Sequence, residues 1–388
     1  MKIDKKNPLH WWLLAQQALY SLLAALLRPL RRKPPKPLVV LYGHQLSGNL
    51  KALYTAWDKE CREQFDLFFL SLDPGQAQAL RNAGIAVLAC NRLRDMLRLT
   101  QARVMITDHG LHLMTPLLRL TDIVFVDVWH GIPFKGFVPA DFQLQQRYEE
   151  VWVSSPLLQS LYEKRFGFRR GPVRPLGYAR TDRLFQRPPP ASGFLHANGV
   201  DAARGVVLYA PTWQQDDAGR ELFPFGHDQA SFIELLSRAC AEYGALLVVR
   251  AHLNTSIPDG GPDNVMYCSQ RDFPDTEDLL LGSDVLICDW SSIAFDFLAL
   301  DRPTLFLDVE PPFRNGFSLG PEYRFGAIID NSDALDRELR AALAAPRQYH
   351  ERFAQQHRAV TAAVYGEATD GQAGRRQLQH LYSRYMAS

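Results

Sequence analysis

The stretch Val128–Phe137, VWHGIPFKGF, sets one histidine at the end of a strongly apolar run. IVFVDV upstream is rich in β-branched and aromatic residues, whereas Gly131, Pro133 and Lys135 downstream break a strand and open a loop. His130 is therefore expected at the carboxyl end of a buried strand, the edge at which open α/β sheets hold their ligands. An imidazole there can take a proton from a hydroxyl near neutral pH, or it can merely close the strand as a hydrogen bonder. In the second half, VVRAHLNTS puts Arg250 and His252 at another strand end, and LYAPTWQQDD puts Thr212 and Trp213 at a third. LICDWSSIAFDFLAL runs from a strand through Asp289, Trp290, Ser291 and Ser292 straight into an amphipathic helix. Either serine suits the N-cap, and the free N–H groups of a first helical turn attract an anion. Taken singly, each feature has a bland explanation as a cap or a hydrogen bonder. Together, on one edge of the predicted sheets, they point to a phosphorylated ligand held beside a histidine.

The elements that must position these residues alternate. Apolar runs at 38–43, 67–72, 85–90, 103–108, 123–130, 151–155 and 173–177 are separated by amphipathic stretches such as Leu50–Arg62 and Pro156–Phe166. That is the pattern of a parallel, doubly wound sheet. RPPPASGFLHANG (187–199) interrupts it, and a second series follows at 206–211, 246–250, 265–268, 284–289, 304–308 and 327–330, with a helical C-terminus. The fold class expected is α/β and GT-B-like: two Rossmann-like domains facing across a cleft. The expected boundaries are 1–37 for an N-terminal helix and basic linker, 38–190 for the first domain and 191–388 for the second with the C-terminal helices. No internal repeat or glycine-rich dinucleotide fingerprint is present.

At 388 residues, with 47% hydrophobic and 22% charged positions, the chain suits two globular domains. Cys61, Cys90, Cys240, Cys268 and Cys288 form no CxxC pair, which argues for reduced, buried thiols and against a disulfide framework or a zinc site. The formal charge of +1 hides an asymmetry: residues 1–38 carry eight Lys/Arg against Asp4 alone, a net +7, which leaves −6 for the remainder. Between the basic clusters, HWWLLAQQALYSLLAALLRPL sets Trp11, Trp12, Leu14, Leu19, Leu22, Leu23 and Leu26 on one helical face. Gln16, Gln17, Tyr20, Ser21 and Arg28 lie on the other. Paired Trp and flanking cations suit a helix lying in the headgroup region of an anionic membrane. A true span and a helix packed on its own domain are the alternatives.

VWHGIPFKGF, LGYARTDRL (176–184), VLYAPTWQQDD (207–217), VVRAH (248–252) and LLLGSDVLICDWSSIAFDFLALDRPTLF (279–306) resemble the motifs of the CDP-glycerol:poly(glycerophosphate) glycerophosphotransferases, the teichoic-acid primases and polymerases. GNLKALYTAW (48–57) and DGQAGRR (370–376) fit the same pattern, so the resemblance covers about residues 38–380 in order. It implies a peripheral enzyme on the cytoplasmic face of the cell membrane, working without metal or other cofactor. Such an enzyme passes glycerol phosphate from CDP-glycerol to a hydroxyl of a lipid-linked glycan or polymer and releases CMP. Carried over by position, His130 and His252 are catalytic. Arg250, Ser291, Ser292, Asp289, Thr212 and Arg324 bind the donor, and Asn49, Gly131, Lys135, Arg180 and Asp182 line the acceptor side. Ile132, Phe134, Ala179, Thr181 and Gln214 stand where the family usually has Thr, Leu, Pro, Asn and Arg, which implies a remodelled polyol pocket. That keeps CDP-ribitol, and a capsule or lipopolysaccharide product, open. The absence of the polymerases' extra domain implies one or few transfers per acceptor. A sugar-transferring GT-B enzyme, an epimerase and a non-catalytic assembly protein are the rivals. Nucleic acid is not an expected partner, and the sequence leaves homo-oligomerisation open.

Overall fold

Among the described residues the apolar runs become thirteen parallel strands in two sheets. In this computed structural model the described residues are 7–31, 34–111, 114–201, 204–212, 223–251, 262–269 and 273–387. The first sheet contains β1 (Leu38–Tyr42), β2 (Asp66–Ser71), β3 (Val87–Ala89), β4 (Ala102–Thr107), β5 (Val124–Asp127), β6 (Glu150–Val153) and β7 (Val173–Pro175), ordered 3-2-1-4-5-6-7. The second contains β8 (Val206–Tyr209), β9 (Leu246–Ala251), β10 (Val265–Ser269), β11 (Val285–Cys288), β12 (Thr304–Leu307) and β13 (Ala327–Ile329), ordered 10-9-8-11-12-13. Each is a doubly wound order in which the winding reverses beside the first strand, between β1 and β4 and between β8 and β11. Central strands such as β1, β8 and β11 are buried at every position, because helices cover both faces of a parallel sheet. The five cysteines are free and buried in these layers.

The chain does not divide into the contiguous halves expected. One compact unit comprises Met1–His130, Pro139–Asp182 and Gln372–Ser388; the other comprises Gly131–Val138 and Arg183–Gly371. The first crossing falls inside VWHGIPFKGF, directly after His130. The last helix, Ala373–Tyr385, belongs with the first unit and not with the second, as expected from its position in the chain. The reason is packing: Leu378, Leu381 and Met386 share a buried cluster with Val39, Leu41, Leu53 and Trp57. Asp182 fixes the start of that helix, its carboxylate accepting N–H bonds from Ala373 (2.8 Å) and Gly374 (2.7 Å).

The N-terminal helix, Pro8–Leu27, also departs from its expected role as a separate segment. Its polar stripe, not its apolar face, lies against the first unit: Gln17, Ser21 and Arg28 are buried with Leu13, Ala24 and Ala25. Gln17 Nε2 reaches the Tyr42 hydroxyl at 3.1 Å, and the Arg28 guanidinium bonds the Thr100 and Ala102 carbonyls at 2.6 and 2.9 Å and pairs with Asp122. Leu9, Trp11, Trp12, Leu19, Leu22, Leu26 and Leu30 stay exposed on the opposite face. With its following turn, the segment Pro8–Leu30 is long and apolar enough to cross a bilayer by length and composition alone.

Candidate active site

The first unit gathers its chemistry at the winding reversal of its sheet, where the ends of β1, β4 and β5 meet. His130 lies three residues beyond β5, because the strand stops at Asp127. His130 Nδ1 stands 3.1 Å from the Asp108 carbonyl at the end of β4. A carbonyl only accepts, so Nδ1 carries the hydrogen and Nε2 keeps its lone pair. The His109 ring stacks on His130 at 4.6 Å and 7°, and His44, two residues past β1, meets His109 edge-on at 4.8 Å. Burial, then the charge of His109, pushes the His130 pKa down, while the Asp108 carbonyl opposes the shift. The residue is nonetheless exposed to solvent, which favours the charged form and opposes this shift. Its sign keeps the imidazole neutral and able to accept a proton at pH 7. For His109, burial disfavours charge, but the hydrogen bond from its Nδ1 to Asp108 Oδ1 (2.7 Å) and that carboxylate's charge prevail, and its pKa ends raised.

Holding His130 there costs backbone strain. Trp129 adopts φ 45°, a left-handed conformation that costs a bulky residue about 1–3 kcal/mol. Three contacts impose it. Asp127 Oδ1 accepts the Trp129 N–H at 2.7 Å, Asn49 Nδ2 donates to the carbonyls of Val128 and Trp129 at 3.0 Å each, and the indole packs on Phe142 at 4.9 Å. Asp127 is wholly buried, and burial lifts its pKa to about 7 against the hydrogen bond from Trp129. Asn49 Oδ1 accepts the Arg180 N–H at 3.1 Å, and Arg180 in turn donates to the His130 carbonyl at 2.6 Å. Gly43 completes the fit, since a Cβ there would lie 2.4 Å from Asp108 Oδ1. Gly131, at φ 152°, has a backbone conformation that suits glycine.

In the second unit, Thr212 and Asp289 extend β8 and β11, again flanking the winding reversal. Asp289 Oδ1 accepts the Thr212 N–H at 2.8 Å and also its hydroxyl, so this buried carboxylate joins the two strand ends. Ser292 occupies the N-cap of the Ile293–Leu298 helix, but its side chain makes no capping bond, and the helix is only six residues long. The cap expected of the Ser-Ser pair is therefore absent, and so short a helix lends little dipole. The cation beside this turn is Arg324. Its guanidinium lies 4.3 Å from the Trp290 ring centroid and its NH1 lies 2.9 Å from Asp308, whereas its buried Nε has no hydrogen-bond partner among the described residues.

Several site residues read from the sequence do other work. Arg250 spends its guanidinium on the Ser269 and Phe273 carbonyls (3.2 and 2.8 Å), Cys268 Sγ and Thr276 Oγ1, which ties β9 to the chain beyond β10. It positions that layer instead of presenting a free charge. Asp182 caps the C-terminal helix. Lys135 forms an isolated bridge with Phe317 and lies 5.4 Å from the Phe137 ring centroid, within the second unit. Ile132, Phe134, Ala179 and Thr181 are buried, with Phe134 stacked on Phe295 at 4.4 Å. These four departures from the family pattern therefore lie in the packed interior of their units. His252, Trp213 and Gln214 lie outside the described residues. His44, Asp108, His109 and Asp127 were missed by the sequence reading, although all sit at or just beyond strand ends, where the rule that found His130 would have found them.

Two doubly wound units, with a histidine beyond the end of a buried strand in one and Arg324 beside a strand-to-helix turn in the other, make up a fold of the GT-B type. The model of the CDP-glycerol:poly(glycerophosphate) glycerophosphotransferase family matches residues 26–383, and the chain belongs to that family. It is 25% identical over 389 residues to the teichoic acid glycerol-phosphate transferase of Staphylococcus aureus, covering 91% of this chain and 95% of that one. It is 24% identical over 230 residues to a teichoic acid ribitol-phosphate polymerase of the same organism, covering 54% of this chain and 44% of the polymerase. The wall teichoic acid polymerase TagF matches in structure with a TM-score of 0.75 at 18% identity, over 97% of this chain and 95% of that chain. A UDP-N-acetylglucosamine 2-epimerase from Listeria monocytogenes shares the fold at a TM-score of 0.55 and 15% identity, over 92% and 98% of the two chains.

Proposed function

We propose that the chain transfers glycerol phosphate from CDP-glycerol to a hydroxyl of a membrane-linked glycan or polymer, with release of CMP, in the synthesis of a cell-surface polymer. The observation that carries this reading is the contact of His130 Nδ1 with the Asp108 carbonyl. With Nδ1–H given to the Asp108 carbonyl, Nε2 is the basic nitrogen and takes the acceptor's hydroxyl proton. The acceptor oxygen forms its bond to the phosphorus that bears the glycerol. The bridging P–O bond breaks and its electron pair leaves on CMP. Arg324 and the Ser291–Ser292 turn supply donors for the phosphate oxygens, and Asn49, Asp127 and Arg180 hold the base in place. His252 is retained as a second catalytic group on the family pattern alone. Neither metal nor other cofactor enters the step.

The test is a screen of purified protein against CDP-glycerol, CDP-ribitol and UDP-sugars, reading nucleotide release in the presence of an acceptor. CMP release from CDP-glycerol, insensitive in initial rate to EDTA, is expected. The similarity to ribitol-phosphate polymerases makes CDP-ribitol the second donor to try. Turnover of UDP-sugars in place of either would overturn the reading in favour of sugar transfer.

We also infer that the protein is peripheral on the cytoplasmic face of the membrane, with the outward face of the N-terminal helix in the headgroup layer. Two features support this. Seven large apolar side chains project from that face, each able to contribute roughly 1.5–3 kcal/mol on full burial. The neighbouring Leu93–Leu99 helix adds exposed Leu93 and Leu97 with exposed Arg92, Arg94 and Arg98 around them. Arg28, Arg31 and Lys36 contribute less than their charge suggests, because all three pair with acidic residues of their own unit. Changing Trp11, Trp12 and Leu19 together to Ser should release the protein from anionic vesicles without disturbing the fold, since all three side chains are exposed. Unchanged co-sedimentation would leave the helix as a packing element only. Deleting the helix is a poorer test, because Ala24 and Ala25 belong to a core cluster.

A further inference from the structure

One cluster in the second unit brings metal-ligating atoms together apart from the base and the donor turn. Asp301 follows the Ile293–Leu298 helix, His350 lies in the Pro346–Glu351 helix, and His357 lies in the Ala354–Tyr365 helix. His350 Nε2 and His357 Nδ1 each stand 3.1 Å from the same oxygen, Asp301 Oδ1, and the three ligand atoms all lie within 4.8 Å of one another. A tetrahedral zinc ion with bonds of about 2.0–2.2 Å holds its ligand atoms roughly 3.3–3.6 Å apart. The two His–Asp spacings are thus close to edges of such a tetrahedron before any ion enters, and the two imidazole nitrogens lie within 4.8 Å of each other.

The surroundings hold this geometry. Asp301 takes φ 61°, a left-handed conformation that only a well-determined site sustains in a residue other than glycine. On either side of it, the Arg187 guanidinium holds the Ala299 carbonyl at 2.7 Å and Arg302 holds the Leu281 carbonyl at 2.9 Å. His357 is buried, edge-on to Phe325 at 5.2 Å and to His350 at 4.5 Å. Asp301 is exposed, which leaves an entry path and room for water.

We propose that Asp301, His350 and His357 form a binding site for a divalent transition-metal ion of the zinc class, with the remaining position open to water. Two imidazoles and one carboxylate suit zinc or cobalt better than magnesium or calcium, which favour all-oxygen shells. The ion would clip two C-terminal helices to the corner between the Ile293–Leu298 helix and β12. Its effect is therefore on stability and not on phosphoryl transfer.

Zn²⁺ alone, added to dialysed full-length protein, should bind with a stoichiometry that falls by one site in Asp301→Asn and His350→Ala, and should raise Tm. Co²⁺ in its place should give visible d–d absorption. Asp301→Asn suits the test, because asparagine tolerates the left-handed backbone while losing the charge. His350→Ala removes a second ligand that is only partly buried. Each should weaken Zn²⁺ binding by more than about tenfold, since even outer-shell partners commonly cost that much, and should abolish the gain in Tm. His109→Ala should bind as wild type does, which separates this cluster from the histidines around His130. Equal Zn²⁺ affinity in wild type, Asp301→Asn and His350→Ala would overturn the proposal, as would loss of binding in His109→Ala alone.

Discussion

The surroundings of His130 and those of the Ser291–Ser292 turn are built on opposite plans. Around His130 nearly every polar group named is already bonded to protein. Asn49 uses both ends of its amide, Asp127 holds the strained Trp129, and Asp108 serves one histidine through its carbonyl and another through its carboxylate. At the turn, Ser292 makes no side-chain capping bond and Arg324 keeps a buried Nε with no hydrogen-bond partner among the described residues. A base must arrive at the reaction in one tautomer and one orientation, so its supports are fixed in advance. A group that binds a charged substrate must keep hydrogen-bonding capacity for that substrate.

The sharpest way to break this contrast is His130→Ala. General-base loss commonly costs ~10²–10⁴ in rate, so kcat for CMP release should fall within that range while circular dichroism stays unchanged. Near-wild-type turnover would return His130 to a structural role. Asn49→Ala comes next. It strands the Val128 and Trp129 carbonyls, which should cost about 1–3 kcal/mol of stability. A displacement of the base by about 1 Å should lower kcat roughly 10²-fold. Loss of stability at full kcat would show that the strained turn does not position His130. Arg324→Leu should act on the other plan, raising the KM for CDP-glycerol about tenfold with a smaller change in kcat, as removal of one charge-assisted bond predicts. An unchanged donor saturation curve would move the phosphate away from Arg324.

The smallest effect expected is a shift in pH dependence. The charge on His109 adds to burial in depressing His130, and a base works only when deprotonated, so activity falls as pH drops through the His130 pKa. His109→Gln removes that charge. The acidic limb of the kcat/KM profile should then move to higher pH, only partway, because burial is the larger cause. A limb that stays in place would mean that the stacked pair is not electrostatically coupled.

The sheets were legible because β-branched and aromatic runs mark buried parallel strands whatever lies between them. The positions of His130, Thr212 and Asp289 followed, since strand ends are where such folds keep their chemistry. What escaped notice depended on distant partners. Arg250 reads as a free cation until the Phe273 carbonyl, 23 residues on, is seen beneath it. Asp182 reads as a site carboxylate until Ala373, 191 residues away, is found on it. On the N-terminal helix the outward Trp and Leu face is legible from its periodicity. The docking of the polar face is not, because the Tyr42, Thr100 and Ala102 partners that draw Gln17 and Arg28 inward lie far along the chain.

The assignment of Ala373–Tyr385 to the first unit has a consequence for how the protein is made. A ribosome emits the first sheet early, but Leu378, Leu381 and Met386, which close one face of it, are synthesised only after the whole of the second unit. The unit that emerges first is thus the last to be completed. During the whole synthesis of the second unit, the nascent chain carries an uncovered apolar surface around Leu53 and Trp57. A chain stopped at Gly371 would keep that surface permanently, so loss of residues 372–388 should send the product to chaperones and proteases instead of yielding a shortened enzyme.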